Sequence, residues 1–184
     1  ALGNRSIIAD PRSYTMQKNL NLKIKFRESF RPFAPSVLED KSKEFFKINQ
    51  SSPYMLITSK IADKLKTEVK DKLLRGLSMI DQKRSKIQAV THVDYSARVQ
   101  TVSKKFNKKF YDLISKFYKI TGYPILVNTS FNVRGEPIVC NPEDAFKCFM
   151  GTNLDILVIE NFILFKDEQD KDKLISYKKN FDLD

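Results

Sequence analysis

The sequence is poor in the residues from which most recognisable active sites are built. Across 184 residues there are one histidine, two cysteines, five glycines and no tryptophan. Cys140 and Cys148 cannot frame a disulfide scaffold, and with the single His92 they cannot supply four zinc ligands, so no metal site is expected. Eight residues apart across a helix start, they read as reduced core thiols. No Gly-rich phosphate loop, dinucleotide-binding turn or His-Glu metal helix occurs. His92 has no Ser or Cys at a spacing known for nucleophilic catalysis and reads as structural. No uncharged run approaches the roughly 18 residues of a membrane span. The first residues, Ala1-Leu2-Gly3-Asn4-Arg5, lack the apolar stretch of a signal peptide. A cytoplasmic chain with no membrane partner is therefore expected, and a start without Met suggests a piece of a longer protein.

What the chain does have is apolar mass and positive charge. Hydrophobic residues make up 41% of it, with 14 Phe and 7 Tyr, enough for a buried core and too apolar for disorder. Lys and Arg outnumber Asp and Glu by 33 to 22, a net charge of +11. Lys60 to Lys86 holds nine basic residues against four acids, with Leu65, Val69, Leu73, Leu77 and Ile80 at steps of four, four, four and three. That spacing predicts a basic helix over about 60–86, its charges on the solvent side. Lys104 to Lys119 adds six Lys against Asp112, around Phe106, Phe110, Leu113, Phe117 and Ile120. The plainer reading of both stretches is a solvated helix face. Residues 167–184 read as a polar tail.

The remaining pattern alternates strands and helices without repeats or a long linker, which predicts one α/β domain. The segment Pro124-Ile125-Leu126-Val127-Asn128 is the most apolar strand, following a helix from about Ser103 that stops at Gly122. Asn141-Pro142-Glu143-Asp144 starts a helix, with an N-cap Asn, Pro in the first turn and two acids facing the dipole. That helix ends near Gly151, and Asp155 to Lys166 supplies one or two strands with a bend at Glu160-Asn161. Further strands are expected at Tyr54–Ile57, Ile87–Val90 and Ala97–Val102, with a helical turn at 42–47.

Three polar clusters interrupt this scaffold. In the first, Lys23, Lys25, Arg27 and Arg31 interleave with Ile24, Phe26, Phe30 and Phe33. As an extended strand, Lys23 to Arg27 would bury Ile24 and Phe26 and present three cations on its other face. The stiff turn Arg31-Pro32-Phe33-Ala34-Pro35 would hold Arg31 close by, an arrangement suited to an anion. The second cluster runs from Thr91-His92-Val93-Asp94 to Arg98. The third, Asn128-Thr129-Ser130-Phe131-Asn132, follows the most apolar strand, where ligands of open α/β sheets bind. Its plainer reading is a hydrogen-bonded turn. Asn and Ser would supply directional hydrogen bonds there, and Arg and Lys would neutralise phosphate or carboxylate.

Four motifs, taken in order, resemble a known family. They are Ala1-Leu2-Gly3-Asn4-Arg5-Ser6-Ile7 through Asp10-Pro11-Arg12; Lys25-x-Arg27-Glu28-x-Phe30-Arg31-Pro32-Phe33-Ala34-Pro35; Thr91-His92-Val93-Asp94 with Ala97-Arg98-Val99-Gln100; and Asn128-Thr129-Ser130-Phe131-Asn132-x-Arg134-Gly135-Glu136-Pro137-Ile138. Over about residues 1–166 the chain is similar to the C-terminal domain of the NodU/CmcH/TobZ carbamoyltransferases. The resemblance implies a YrdC-like fold, mixed α/β, with a twisted sheet and flanking helices around a cationic cavity. It also implies that the domain takes carbamoyl phosphate and ATP, with Mg²⁺ accompanying the nucleotide, and makes carbamoyl-adenylate. A separate N-terminal actin-like domain of the same polypeptide would then transfer the carbamoyl group to a hydroxyl acceptor. Carried over by position, Lys25, Arg31 and Arg98 are the cations around carbamoyl phosphate, Arg27 a further substrate contact, and Asn128 and Ser130 the polar contacts after the central strand. Tyr95 stands where the family commonly has Gly, and 60–86 is longer and more basic than usual.

Two other functions fit the charge. A basic RNA-binding module of the same fold would show binding that weakens steeply with salt. A non-catalytic domain that only delivers substrate would show no chemistry of its own. Nucleic acid is the less expected partner, because most of the excess charge falls in the two helical stretches rather than at the motifs.

Overall fold

The apolar run Ile125-Leu126-Val127 forms the interior of a mixed sheet, as its composition predicts. In the computed structural model, which describes residues 2–69, 75–80 and 82–170, the elements in chain order are β1 (Ser6–Ala9), α1 (Met16–Leu20), β2 (Ala34–Leu38), α2 (Ser42–Phe45), β3 (Ile57–Lys60), β4 (Ser96–Val102), α3 (Lys108–Thr121), β5 (Ile125–Ser130), α4 (Pro142–Gly151), β6 (Ile156–Ile159) and β7 (Phe162–Phe165). Where the sequence predicts one domain, the chain packs as two compact units. The larger comprises Ala1–Gln17 and Pro32–Thr129; the smaller comprises Lys18–Arg31 and the chain from Ser130.

In the larger unit the sheet order is β1-β5-β2-β4-β3. Strand β2 runs antiparallel to β5, with Val37 opposite Ile125, and parallel to β4, with Ser36 opposite Gln100. Strand β3 closes the sheet antiparallel to β4, placing Thr58 opposite Arg98. Sequence reading missed β2, because Pro32 and Pro35 read as a turn. Pro35 is tolerated because it pairs with Val127 of β5, ahead of the Ser36–Leu38 stretch that pairs with β4.

Helix α3 starts at an Asn107 cap whose side chain accepts from the Phe110 N–H, and ends at Gly122, whose φ of 76° suits only a residue without Cβ. Its buried face is Phe110 and Ile114, packed against Leu38, Val102 and Leu126 of the sheet. Each such buried side chain contributes about 1.5–3 kcal/mol. The expected stripe was partly misplaced: Phe106 and Ile120 are 81% and 85% exposed.

The helix expected over 60–86 is not found among the described residues. Lys60 ends β3, Asp63–Leu65 and Gly76–Met79 are 3₁₀ turns, and Lys66 bridges Ser85 in extended conformation. Lys70, Asp71, Lys72, Leu73 and Asp81 of that pattern lie outside the described residues, as does the tail from Lys171. Spacing by four misled because Gly76 (φ 62°) breaks any helix, and because Arg84 is no surface cation. Arg84 is buried and donates to the Met79 and Ile80 carbonyls at 2.5 and 2.6 Å, closing the excursion on itself. Ile87–Val90, expected as a strand, is a buried 3₁₀ turn at Gln88–Val90. The strand expected at Tyr54–Ile57 begins only at Ile57.

In the smaller unit, α4 follows its sequence signals closely. The Asn141 side chain accepts from Asp144 N–H at 2.8 Å, Pro142 opens the helix, and Glu143 and Asp144 face its positive end. Ala145, Cys148, Phe149 and Met150 pack with Phe26, Val133, Val139 and Leu157 of the β6–β7 hairpin. Cys148 is therefore the core thiol expected, whereas Cys140, ahead of the helix, is exposed.

Candidate functional site

The segment Lys23–Arg27 is not the strand that its alternation predicts. Helix α1 continues directly into a π-turn, Asn21–Lys25, that ends at Phe26 in the left-handed region (φ 47°, ψ 56°). Burial of the Phe26 ring offsets that backbone strain of about 1–2 kcal/mol. The turn rotates Lys25 inward, so this lysine is only 4% exposed instead of lying on a cationic face. Its ammonium donates to the Ser130 and Asn132 carbonyls, both at 2.8 Å, to Asn132 Oδ1 at 2.7 Å and to Ser130 Oγ at 3.2 Å. The Ser130 hydroxyl donates in turn to Asn132 Oδ1 at 2.6 Å, and Asn132 Nδ2 donates to the Glu136 carbonyl. All four acceptors around Lys25 are neutral. Burial, with Arg27 second, pushes the Lys25 pKa down to about 8.

The other two cations of this cluster sit on the loop that follows. Arg27 Nε donates to Asn21 Oδ1 at 2.7 Å, and burial, then Arg31, lowers its pKa. Arg31 is braced by Glu28 through Nε at 2.5 Å and Nη2 at 3.2 Å.

Arg98 belongs to the larger unit. It sits on β4, an interior strand, and faces a cleft of about 340 Å³ that is also lined by Phe33, Thr58, Val90, His92 and Ser96. It is exposed, and among the described residues it is the arginine whose side chain has neither a hydrogen bond nor an ion pair. Beside it a tight turn, His92 to Ser96, is gathered on Asp94. That carboxylate accepts from Lys60 Nζ at 2.8 Å, from Ser96 N–H at 2.9 Å and from the Ser96 hydroxyl at 2.5 Å, and lies 3.1 Å from His92 Nδ1. The Lys60 and Ser96 bonds hold Asp94 well below the usual carboxylate range. The turn places Tyr95 at φ 64°, a backbone conformation that glycine adopts freely.

Asn128 is 2% exposed. Its Nδ2 donates to Ser36 Oγ and to Gln100 Oε1, both at 2.9 Å, and Ser36 Oγ donates to Gln100 Oε1. This network ties β5, β2 and β4 together from within the sheet.

Comparison with known proteins gives this geometry a context. Residues 1–166 match the family model described as carbamoyltransferase C-terminus. The chain belongs to that carbamoyltransferase C-terminal family. It is 51% identical over 187 residues to an uncharacterized protein of Synechocystis sp., covering all of this chain and 30% of that protein. It is 43% identical over 169 residues to nodulation protein NolNO of Sinorhizobium fredii, covering 90% of this chain and 22% of that one. It is 38% identical over 151 residues to nodulation protein U of Rhizobium tropici, covering 82% and 23% respectively. The chain thus spans under a third of the length of these relatives.

Within this carbamoyltransferase C-terminal chain the structure brings Lys25 and Ser130 into contact, with Arg27 and Arg31 on the same smaller unit; Arg98 and Asn128 belong to the larger one. Two residues not singled out from the sequence matter as much. Asn132 takes two of the Lys25 hydrogen bonds, and its place two positions after Ser130 was the available signal. Asn21 anchors Arg27, and nothing in its local sequence distinguishes it from a surface amide. No helix among the described residues is long and apolar enough to cross a membrane.

Proposed function

We propose that this chain is the part of a carbamoyltransferase that activates the carbamoyl group. It takes carbamoyl phosphate and ATP and forms carbamoyl-adenylate, which an N-terminal actin-like domain of the same polypeptide uses to carbamoylate a hydroxyl. In balanced form, carbamoyl phosphate, ATP and one water give carbamoyl-adenylate, pyrophosphate and phosphate. Water cleaves the carboxylic–phosphoric anhydride of carbamoyl phosphate, releasing phosphate and carbamate; a carbamate oxygen then bonds to the α-phosphorus as the α–β phosphoanhydride bond breaks and pyrophosphate leaves. Both substrates are polyanions that repel as they approach, so fixed cations are what the reaction needs most. The observation that carries the reading is Arg98, a guanidinium on an interior strand, facing a cleft and without a counter-ion among the described residues. A planar fork of that kind is suited to a phosphate or carboxylate. Lys25 and Ser130 shape the loop after β5, while Arg27 and Arg31 add positive charge on the preceding loop. Among the described residues no group of three His, Cys, Asp or Glu side chains is placed to hold a metal ion. Mg²⁺ would accompany the nucleotide phosphates.

The test is carbamoyl-phosphate-dependent exchange of labelled pyrophosphate into ATP by the complete natural polypeptide that carries this chain. Arg98→Ala should lower kcat/KM for exchange by about 10- to 100-fold, the equivalent of one charge-assisted hydrogen bond, with Tm unchanged because no internal bond is lost. A folded wild-type protein without exchange refutes the proposal. RNA binding with a steep salt dependence in that same protein would favour the nucleic-acid reading.

A further inference from the structure

Asn21 uses every hydrogen-bonding group it has except its N–H on one loop. It is 0% exposed. Its carbonyl accepts from the backbone N–H of Phe26, the cap of the π-turn, and from that of Arg27 at 3.0 Å. Its Nδ2 donates to the Ser29 carbonyl at 3.1 Å and to the Arg31 carbonyl at 2.8 Å. Its Oδ1 accepts from Arg27 Nε at 2.7 Å. Five bonds from one residue therefore fix both ends of the loop 26–31 and the side chain of one of its two arginines. The residue also opens the π-turn, a rare backbone form that recurs at functional sites.

This arrangement holds two like charges near one another. The one Asn21 amide holds the Arg27 guanidinium through Oδ1 and the Arg31 carbonyl through Nδ2, and Glu28 braces the Arg31 side chain. Neighbouring guanidiniums repel, and a loop free to relax would separate them. A buried neutral amide that pins the loop keeps the pair assembled before a ligand arrives, which is the preorganisation that phosphate recognition exploits. We infer that Asn21 is the positioning residue of an Arg27–Arg31 pair that receives the phosphate groups of a substrate. It acts through Arg27 without touching the substrate itself. This rests on the carbamoyl-adenylate reading for the identity of the ligand, though not for the geometry of the loop.

The experiment is a double-mutant cycle in the complete natural polypeptide, read by pyrophosphate exchange with ATP and carbamoyl phosphate varied separately. Asn21→Ala should raise KM for one of the two substrates by about tenfold, with kcat of the folded protein within about threefold of wild type. In an Arg27→Gln background Asn21→Ala should add less than about twofold, because the residue it positions is already gone. Asn21→Ser, which keeps a small polar side chain, should give the same pattern in milder form and serves if the alanine variant fails to fold. Effects of the two substitutions that multiply would overturn the inference, as would Asn21 variants that lose Tm and active fraction together while KM stays constant. Wild-type protein that exchanges normally alongside either result leaves the carbamoyl-adenylate reading intact. A folded wild type that neither exchanges nor binds ATP sinks that reading, and this inference with it.

Discussion

Replacing Lys25 by Met tests what holds the loop after β5, and two opposing quantities set the outcome. Burial, with Arg27 as neighbour, lowers the ammonium pKa from 10.5 to about 8. That corresponds to about 3 kcal/mol of unfavourable charge burial below pH 8. Against it stand the hydrogen bonds to Ser130 and Asn132, where each bond from a charged donor contributes about 1.5–3 kcal/mol. Three N–H protons therefore outweigh the burial by about 2–6 kcal/mol. The Met variant should lose at least about 5 °C in Tm by circular dichroism. The pH dependence separates the two contributions. Because the folded pKa lies below the unfolded one, the unfolded chain holds more protons between pH 8 and 10.5, and stability from Lys25 rises with pH across that window. The gap between wild type and Lys25→Met should thus widen by roughly 2–3 kcal/mol from about pH 7 to about pH 10. A gap that narrows would mean that folding raises the ammonium pKa, the hydrogen bonds favouring the charged form over the neutral amine by more than burial disfavours it. A Met variant as stable as wild type would mean the loop does not depend on the ammonium.

Two further outcomes follow from local geometry. At Tyr95 (φ 64°), Tyr95→Val should lower Tm by about 2–6 °C, because a β-branched side chain fits the left-handed region worse than Tyr does. Tyr95→Gly should stay within about 1 kcal/mol of wild type, since strain relief is offset by backbone freedom and by the lost Lys66 contact over the ring at 5.2 Å. In a thiol titration of the native chain, exposed Cys140 should react and Cys148 should not, because burial pushes the Cys148 thiol up to about 11. Two equally fast thiols would contradict the packing of α4.

Elements marked by their own end signals were legible in the sequence, and those defined by tertiary contact were not. Helix α4 carried its cap, its proline and its acids within four residues, and Gly122 marked the end of α3. The β6–β7 hairpin was readable from two apolar runs and the bend at Glu160. Periodicity alone failed twice. Alternation over Lys23–Arg27 suggested a strand, but a π-turn buries Ile24, Phe26 and Lys25 together, because widening the helix by one residue brings a third side chain to the inner face. Spacing by four over 60–86 suggested a helix, but Arg84 gathers backbone carbonyls instead. The candidate site shows the same division. Ser130 stood out after an apolar run, Lys25 by alternation with apolar residues and Arg98 at the start of an apolar strand, whereas Asn21 is distinguished only by burial and by partners up to ten residues away.

Partnership, more than net charge, separates the cations of this chain. Its +11 excess suggested at first a surface for polyanions. Many of those charges are engaged in exposed pairs, among them Lys41 with Glu44, Lys47 and Lys66 with Asp63, Lys60 with Asp94 and Lys108 with Asp112. Such solvent-screened pairs contribute little to stability and leave little field for a ligand. Others do structural work: buried Arg84 closes an excursion, and half-buried Lys166 donates to the carbonyls of Phe149 and Thr152 at the end of α4. Two of the cations in the motifs stand apart from such exposed pairs. Lys25 is buried among neutral oxygens at a cost in charge burial, and Arg98 has no partner at all among the described residues. An exposed guanidinium that folding neither pairs nor packs, at a cleft, is open to a ligand. Arg98 is therefore the cation whose removal should separate activity from stability most cleanly.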